Sequence, residues 1–189
     1  METVPGRPIA RLLVLVPHRD LRVPLRGYAA RLFSGGLPGA HSLPPVAPLA
    51  KLRRPAAVER MRALAGSTGL YPQTFVLGCP ALAPLPFAYR GLPAHVFGPQ
   101  LSGPDEAFFD RVEALLPARR IAPTVLAAAL TYDGQIPKSP VPPELSFRAA
   151  ALAQLTLHSL PPGSHPKAGF HGHSLRWELG RLFWLPGNR

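Results

Sequence analysis

Ile9-Ala-Arg-Leu-Leu-Val-Leu-Val16, closed by Pro17, is a near-continuous apolar run of strand length, the pattern of a β-strand covered on both faces. The period then changes. Asp20 stands where a helix cap belongs, and Leu21, Leu25, Tyr28, Ala29, Leu32 and Phe33 recur at helical spacing while Arg22, Arg26 and Arg31 project elsewhere. Gly35-Gly36 ends that helix. Beyond the turn Leu37-Pro38-Gly39, residues 46–52 are apolar and short enough for a second strand, in which Pro48 requires an edge or a bulge. Pro55 suits a first helical position, and Val58, Met61, Leu64 and Ala65 predict an amphipathic helix that stops at Gly66.

Gln73-Thr-Phe-Val-Leu-Gly-Cys79 is rich in strand formers, and a further strand is expected at residues 94–97 within a Pro-interrupted stretch. Ser102 followed by Asp105 resembles a capping box, ahead of a third helix with Phe108, Phe109, Val112, Leu115 and Leu116 on its apolar face. Residues 121–132 suit a strand, although the alanines at 127–129 suit a helix equally. Residues 133–144 carry four prolines and read as an exposed loop. Two strands are expected at 147–157 and 175–185, the second with aromatics on both faces and therefore central or sandwiched. Such an order gives an α+β fold, with few helices on mostly antiparallel sheet. Each half of the chain holds one long amphipathic helix, at 21–33 and 105–116, with a proline-marked apolar strand after it. One bilobal domain, 1–189, is expected: lobe one at about 9–100, lobe two at about 101–186, the final strands free to cross between them.

Composition bounds the function. With 189 residues, 47% apolar and 16% charged, the chain can bury a sizeable core, so disorder throughout is excluded. Lys and Arg number 21 against 10 Asp and Glu, a net charge of +11 that favours phosphate-rich or otherwise anionic partners. The 26 prolines and 17 glycines punctuate apolar runs instead of forming a tract, which implies many short elements. Cys79 is the single cysteine, so no internal disulfide can form, and it reads as a small core residue in a cytoplasmic protein. The apolar run Leu12 to Val16 is far shorter than the roughly 18 to 20 residues a bilayer span needs, so no membrane association is expected. Ser34-Gly-Gly36 lacks the lysine and spacing of a nucleotide-binding loop, which removes nucleoside triphosphate hydrolysis from consideration. No cofactor is expected.

The run Arg11-Leu-Leu-Val-Leu-Val-Pro17, the helix to Phe33, the turn Gly36-Leu-Pro-Gly39, the strand Val46-Ala-Pro-Leu-Ala-Lys-Leu52 and the helix that follows resemble the first lobe of the two-histidine (2H) phosphoesterase superfamily, which includes the LigT-like RNA 2′,3′-cyclic phosphodiesterases, also called 2′-5′ RNA ligases. The helix at 105–116, Ala122-Pro-Thr-Val-Leu-Ala-Ala-Ala-Leu130 and the closing strands ending Leu182-Phe-Trp-Leu-Pro186 are similar in order to the second lobe. The resemblance implies two pseudo-related lobes, helices outside and a central cleft where two His-x-Thr/Ser motifs meet. There one imidazole takes a proton, the other protonates the leaving oxygen, and the hydroxyls hold the phosphate. At the matching positions this chain carries Val46 and Pro48 in the first motif and Thr124 and Leu126 in the second, so the resemblance implies a divergent hydrolase fold without its catalytic pair.

A basic cleft in such a protein is expected to bind RNA ends or a phosphorylated small molecule, with Arg53, Arg54, Arg119 and Arg120 as the candidate phosphate contacts. Two other readings stand beside it. In one, the chain is an active cyclic phosphodiesterase using His41 with Ser42 and His158 with Ser159; adjacent strand residues point to opposite faces, however, so each His-Ser pair cannot aim into one cleft. In the other, it is a basic protein-interaction module with a vestigial cleft. His158, His165, His171 and His173 cluster in sequence in the manner of zinc or nickel ligands, but no Cys or carboxylate accompanies them, and no metal site is assigned.

Overall fold

A computed structural model describes residues 8–37, 39–40, 42–67, 75–89, 91–102, 105–132, 146–159 and 175–186. Its first sheet is built on β1 (Pro8–Pro17), flanked by β2 (Ala47–Leu52) and by β8 (Ala149–Ser159). The short β5 (Ala118–Arg120) extends the β2 edge, and β9 (Leu175–Leu179) and β10 (Phe183–Trp184) both pair with β8. The second sheet runs β6 (Ala129–Thr131), β4 (Leu92–Leu101), β3 (Phe75–Tyr89), β7 (Ser146–Phe147). Every pairing is antiparallel, and with helices α1 (Arg22–Ser34), α2 (Val58–Ala65) and α3 (Glu106–Leu115) the fold is α+β. The first sheet draws strands from both ends of the chain, so the closing strands return to the opening one.

Alternation along β1 and β8 sorts the core into layers. Leu12, Val14 and Val16 of β1, with Ala151, Ala153, Leu155 and Leu157 of β8, meet Ala83, Leu85, Ala94 and Val96 of the second sheet. On the other face of β1, Leu13 and Leu15 pack with Met61 and Leu64 of α2 and Phe108, Phe109 and Val112 of α3. Tyr28 and Leu32 of α1 cover Phe97 and Ala129 on the outer face of the second sheet. The layers are therefore α2 and α3, first sheet, second sheet, α1.

Several local expectations are corrected. Asp20 lies in a 3-10 turn, Arg19–Leu21, and its carboxylate meets His18 Nδ1 at 2.9 Å instead of capping α1. Phe33 is 44% exposed, outside the buried stripe. Pro55 precedes α2 by three residues; Ala57 is its N-cap, and the Ala56 N–H donates to Gln154 Oε1 on β8. Asp105, not Ser102, caps α3 by accepting from Phe108 N–H at 3.0 Å, while Ser102 Oγ accepts from Val76 N–H. Cys79 is exposed.

The prolines do not break β3, which runs through Pro80 and Pro84. Pro99 of β4 offers its carbonyl to Leu126 N–H, so its polar side faces away from β3, and its cross-strand partner Pro80 must likewise face outward. Pro84, four residues on, has the same orientation, and neither proline removes a ladder bond. The predicted strand at 175–185 is two strands on the flank of β8, not a central one. Gly180 separates them, its N–H donating to Gln154 O at 2.9 Å.

Candidate functional site

The two motif-equivalent segments come together. Ala127 N–H donates to the Val46 carbonyl at 2.8 Å and Ile121 N–H to the Leu49 carbonyl at 2.8 Å, so residues 121–127 run beside β2. The same segment bonds to β4 through Leu126 N–H to Pro99 O and Leu101 N–H to Thr124 O, each 2.9 Å, and so joins the two sheets. Gly98 makes that crossing possible: a Cβ there would fall on the Leu126 carbonyl oxygen.

Their side chains form no polar site. Val46 is 2% exposed, inside the apolar core between the sheets together with Val125 and Ala127. Pro48 is buried, and Leu126 belongs to the helix-side core. Thr124, at 7% exposure, is the one hydroxyl among the four motif positions. Val46 and Leu126 therefore lie in different core layers, and the residue of the second segment that shares a layer with Val46 is Val125.

Polar character begins at the edge of this core, where Leu85 and Ile121 reach the surface. A groove of about 460 Å³ opens at the lip between the sheets, walled by Pro84, Leu85 and Pro86 of β3 on one side and by Lys51, Arg119, Arg120, Ile121 and Ala122 on the other. Register decides which cations face it. In β2 the pairing with β1 steps from Leu13↔Ala50 to Val14↔Pro48, leaving Leu49 as an extra residue in a bulge. That step puts Lys51, opposite Leu12, on the same face as Pro48, opposite Val14. Across the next pairing Lys51 opposes Arg119, whereas Arg120 opposes Ala50 on the helix-side face.

Contacts agree with that division. Arg120 Nη1 donates to both Glu106 carboxylate oxygens, at 2.6 and 2.7 Å, and its guanidinium lies 4.0 Å from the centroid of the Phe109 ring. Arg119 and Lys51 form no ion pair with any described carboxylate. Arg53 and Arg54 are exposed in the bend after β2, where the Arg53 N–H donates to Pro117 O at 2.9 Å. Arg60 ties α2 to α3, its Nη1 donating to the Leu115 carbonyl at 3.1 Å. Lys51 is the groove residue that sequence reading missed, since nothing short of the bulge and the β2–β5 register reveals its face.

His158 stands near the end of β8 at the opposite flank of the first sheet. Leu155 and Leu157 face the inter-sheet core, so His158 faces the other way, where its Nε2 lies 3.7 Å from the Glu178 carboxylate of β9. Ser159 shares the face of Leu157 and opposes Leu175. Ser42 is half-buried in the bend before Val46, its N–H donating to Gly39 O at 3.2 Å. His41, His165, His171 and His173 lie outside the described residues, as does the predicted loop 133–144.

No protein-family profile and no curated protein matches the chain. Solved structures do. The Escherichia coli LigT structure in apo form is similar over 95% of this chain and 99% of its own, with a TM-score of 0.45 and 14% identity. LigT complexed with 3′-AMP is similar over 96% and 99%, with a TM-score of 0.44 and 14% identity, and a phosphoesterase over 93% and 98%, with a TM-score of 0.40 and 11% identity. Among the described residues no helix is long and apolar enough to cross a membrane.

Proposed function

We propose that this chain is a divergent 2H phosphoesterase-like protein that binds a phosphorylated ligand, such as an RNA end, without cleaving it. The observation that carries the reading is the burial of Val46, 2% exposed among apolar neighbours where the resemblance calls for a proton-shuttling imidazole. General acid–base catalysis needs a titrating group within about 2.6 to 3.2 Å of the reacting oxygen, or one water away. Neither Val46 nor any of its core neighbours can supply one. His158, the described member of the alternative pair, faces Glu178 instead of the inter-sheet core. The electrostatics favour capture of an anion: the net charge is +11, and cations line the lip groove.

Fluorescence anisotropy with a labelled RNA oligonucleotide ending in a 2′,3′-cyclic phosphate tests this. Binding is expected to weaken steeply between low and physiological salt, and the oligonucleotide is expected to be recovered with its end intact. Hydrolysis that disappears in both His41→Ala and His158→Ala would overturn the reading in favour of an active cyclic phosphodiesterase. No binding at low salt would overturn it in favour of a protein-interaction module.

A further inference from the structure

The geometry points to Lys51 and Arg119 as a paired-cation clamp for a phosphomonoester, with the nucleoside or other organic part of the ligand lying on the apolar wall of the same groove. The inference rests on the proposed function and places its ligand at the lip between the sheets, on side chains other than the motif-equivalent ones.

Three observations converge. First, Lys51 and Arg119 are direct cross-strand partners, which brings two positive side chains together on one face at the edge of the sheet. Like charges placed directly opposite are unfavourable unless something negative lies between them. Second, that something is not a described carboxylate. Asp20 lies with His18 and Arg19, Glu106 holds Arg120, and Glu178 faces His158. Asp105 caps α3. Lys51 is half-buried, and its ammonium lacks such a partner. Third, the facing wall, Pro84, Leu85 and Pro86, offers neither a charge nor, at the prolines, a backbone donor. It gives apolar surface on which an organic group can lie while its phosphate meets the two cations.

The roles of the two cations differ. A guanidinium can grip two phosphate oxygens side by side, whereas the ammonium acts as a compact charge that can approach the third. A dianionic monoester offers three terminal oxygens and about two charges, and so satisfies both cations at once. A phosphodiester link, with one charge and two free oxygens, satisfies them less well. The groove is therefore expected to prefer a chain end bearing a phosphomonoester to one closed as a cyclic phosphate and to the interior of an RNA strand.

Isothermal titration calorimetry with uridine 3′-monophosphate, inorganic phosphate, uridine and the dinucleotide UpU tests the inference on the full chain. Uridine 3′-monophosphate should bind most tightly, inorganic phosphate more weakly, and UpU and uridine least. Lys51→Ala and Arg119→Ala should each weaken uridine 3′-monophosphate binding about tenfold, the size of one charge-assisted contact. Arg26→Ala, exposed on α1 and outside the groove, should change it by no more than about threefold. A thermal melt without ligand serves as the folding control, and Lys51→Ala and Arg119→Ala should melt no lower than the wild type. If uridine 3′-monophosphate binds and the Lys51→Ala/Arg119→Ala double variant binds it equally well, the clamp is wrong while the wider reading stands. If neither the monophosphate nor RNA binds the wild type, both fail. Equal affinity for UpU and the monophosphate would refute the preference for a terminal phosphate.

Discussion

Replacing Val46 by histidine probes the centre of the molecule directly. Val46 is 2% exposed, its carbonyl is held by Ala127 N–H, and Leu12, Val14, Val96, Val125 and Ala153 belong to the same apolar cluster. An imidazole there would have two ring nitrogens and no side-chain partner among these neighbours. Burying an unpaired polar group costs about 1 to 3 kcal/mol on mutational scales. Forcing a planar ring into space shaped for a β-branched side chain adds about 1 to 3 kcal/mol. A loss of roughly 3 kcal/mol is expected, which in a domain of this length lowers Tm by about 6 to 12 °C. Val58→His on α2, where the valine is 37% exposed, is the control and should stay within about 0.5 kcal/mol of the wild type. Differential scanning calorimetry reads both. A Val46→His protein melting within about 2 °C of the wild type would refute the reasoning. Such a result means that polar or hydrated space exists where a closed apolar core is described.

The adjacent arginines of β5 should separate stability from binding. Arg120→Ala loses the bidentate ion pair with Glu106 and the stack on Phe109, and because both charged groups are partly exposed the urea midpoint should report a loss of only about 1 to 2 kcal/mol. A double-mutant cycle with Glu106→Gln should recover a coupling of about 0.5 kcal/mol or more, and zero coupling would contradict the described pair. Gly98→Ala drives a methyl into the Leu126 carbonyl and should cost more than about 4 kcal/mol, seen as loss of soluble protein or a collapsed urea midpoint. Gly27→Ala, in the interior of α1 with nothing near the added carbon, should instead stabilise by about 0.5 to 1 kcal/mol in the same titration.

How much of this was legible in the residues depends on what each signal measures. β1 and α3 announce themselves because burial periodicity is a local property: a near-continuous apolar run, and apolar residues at helical spacing behind a capping-box pattern. β3 was legible only at its start, within 73–79, because Pro80 and Pro84 look like breakers; they are harmless when their nitrogens face the side away from β4, and only the pairing with Pro99 reveals that. Ser102 followed by Asp105 reads as one capping box, whereas in the structure Ser102 is engaged by Val76 and Asp105 alone caps α3. The candidate site was least legible. Arg119 and Arg120 are neighbours in sequence with opposite fates, one at the groove and one beneath α3, since a strand turns successive side chains to opposite faces. Lys51 joins Arg119 because one extra residue, Leu49, shifts the parity of β2; Pro48 signals an edge or a bulge, but not which residue is the extra one.

The proposed function holds that apolar core fills the motif-equivalent positions, so that a phosphate ester bound in the groove is not cleaved. Phosphorus NMR of uridine 2′,3′-cyclic monophosphate incubated with stoichiometric wild-type protein tests it most directly. The cyclic ester resonance is expected to persist at the rate of the protein-free control. Its conversion to a monoester resonance at a rate that rises with protein concentration, and that falls to the control rate in His158→Ala, would contradict the account.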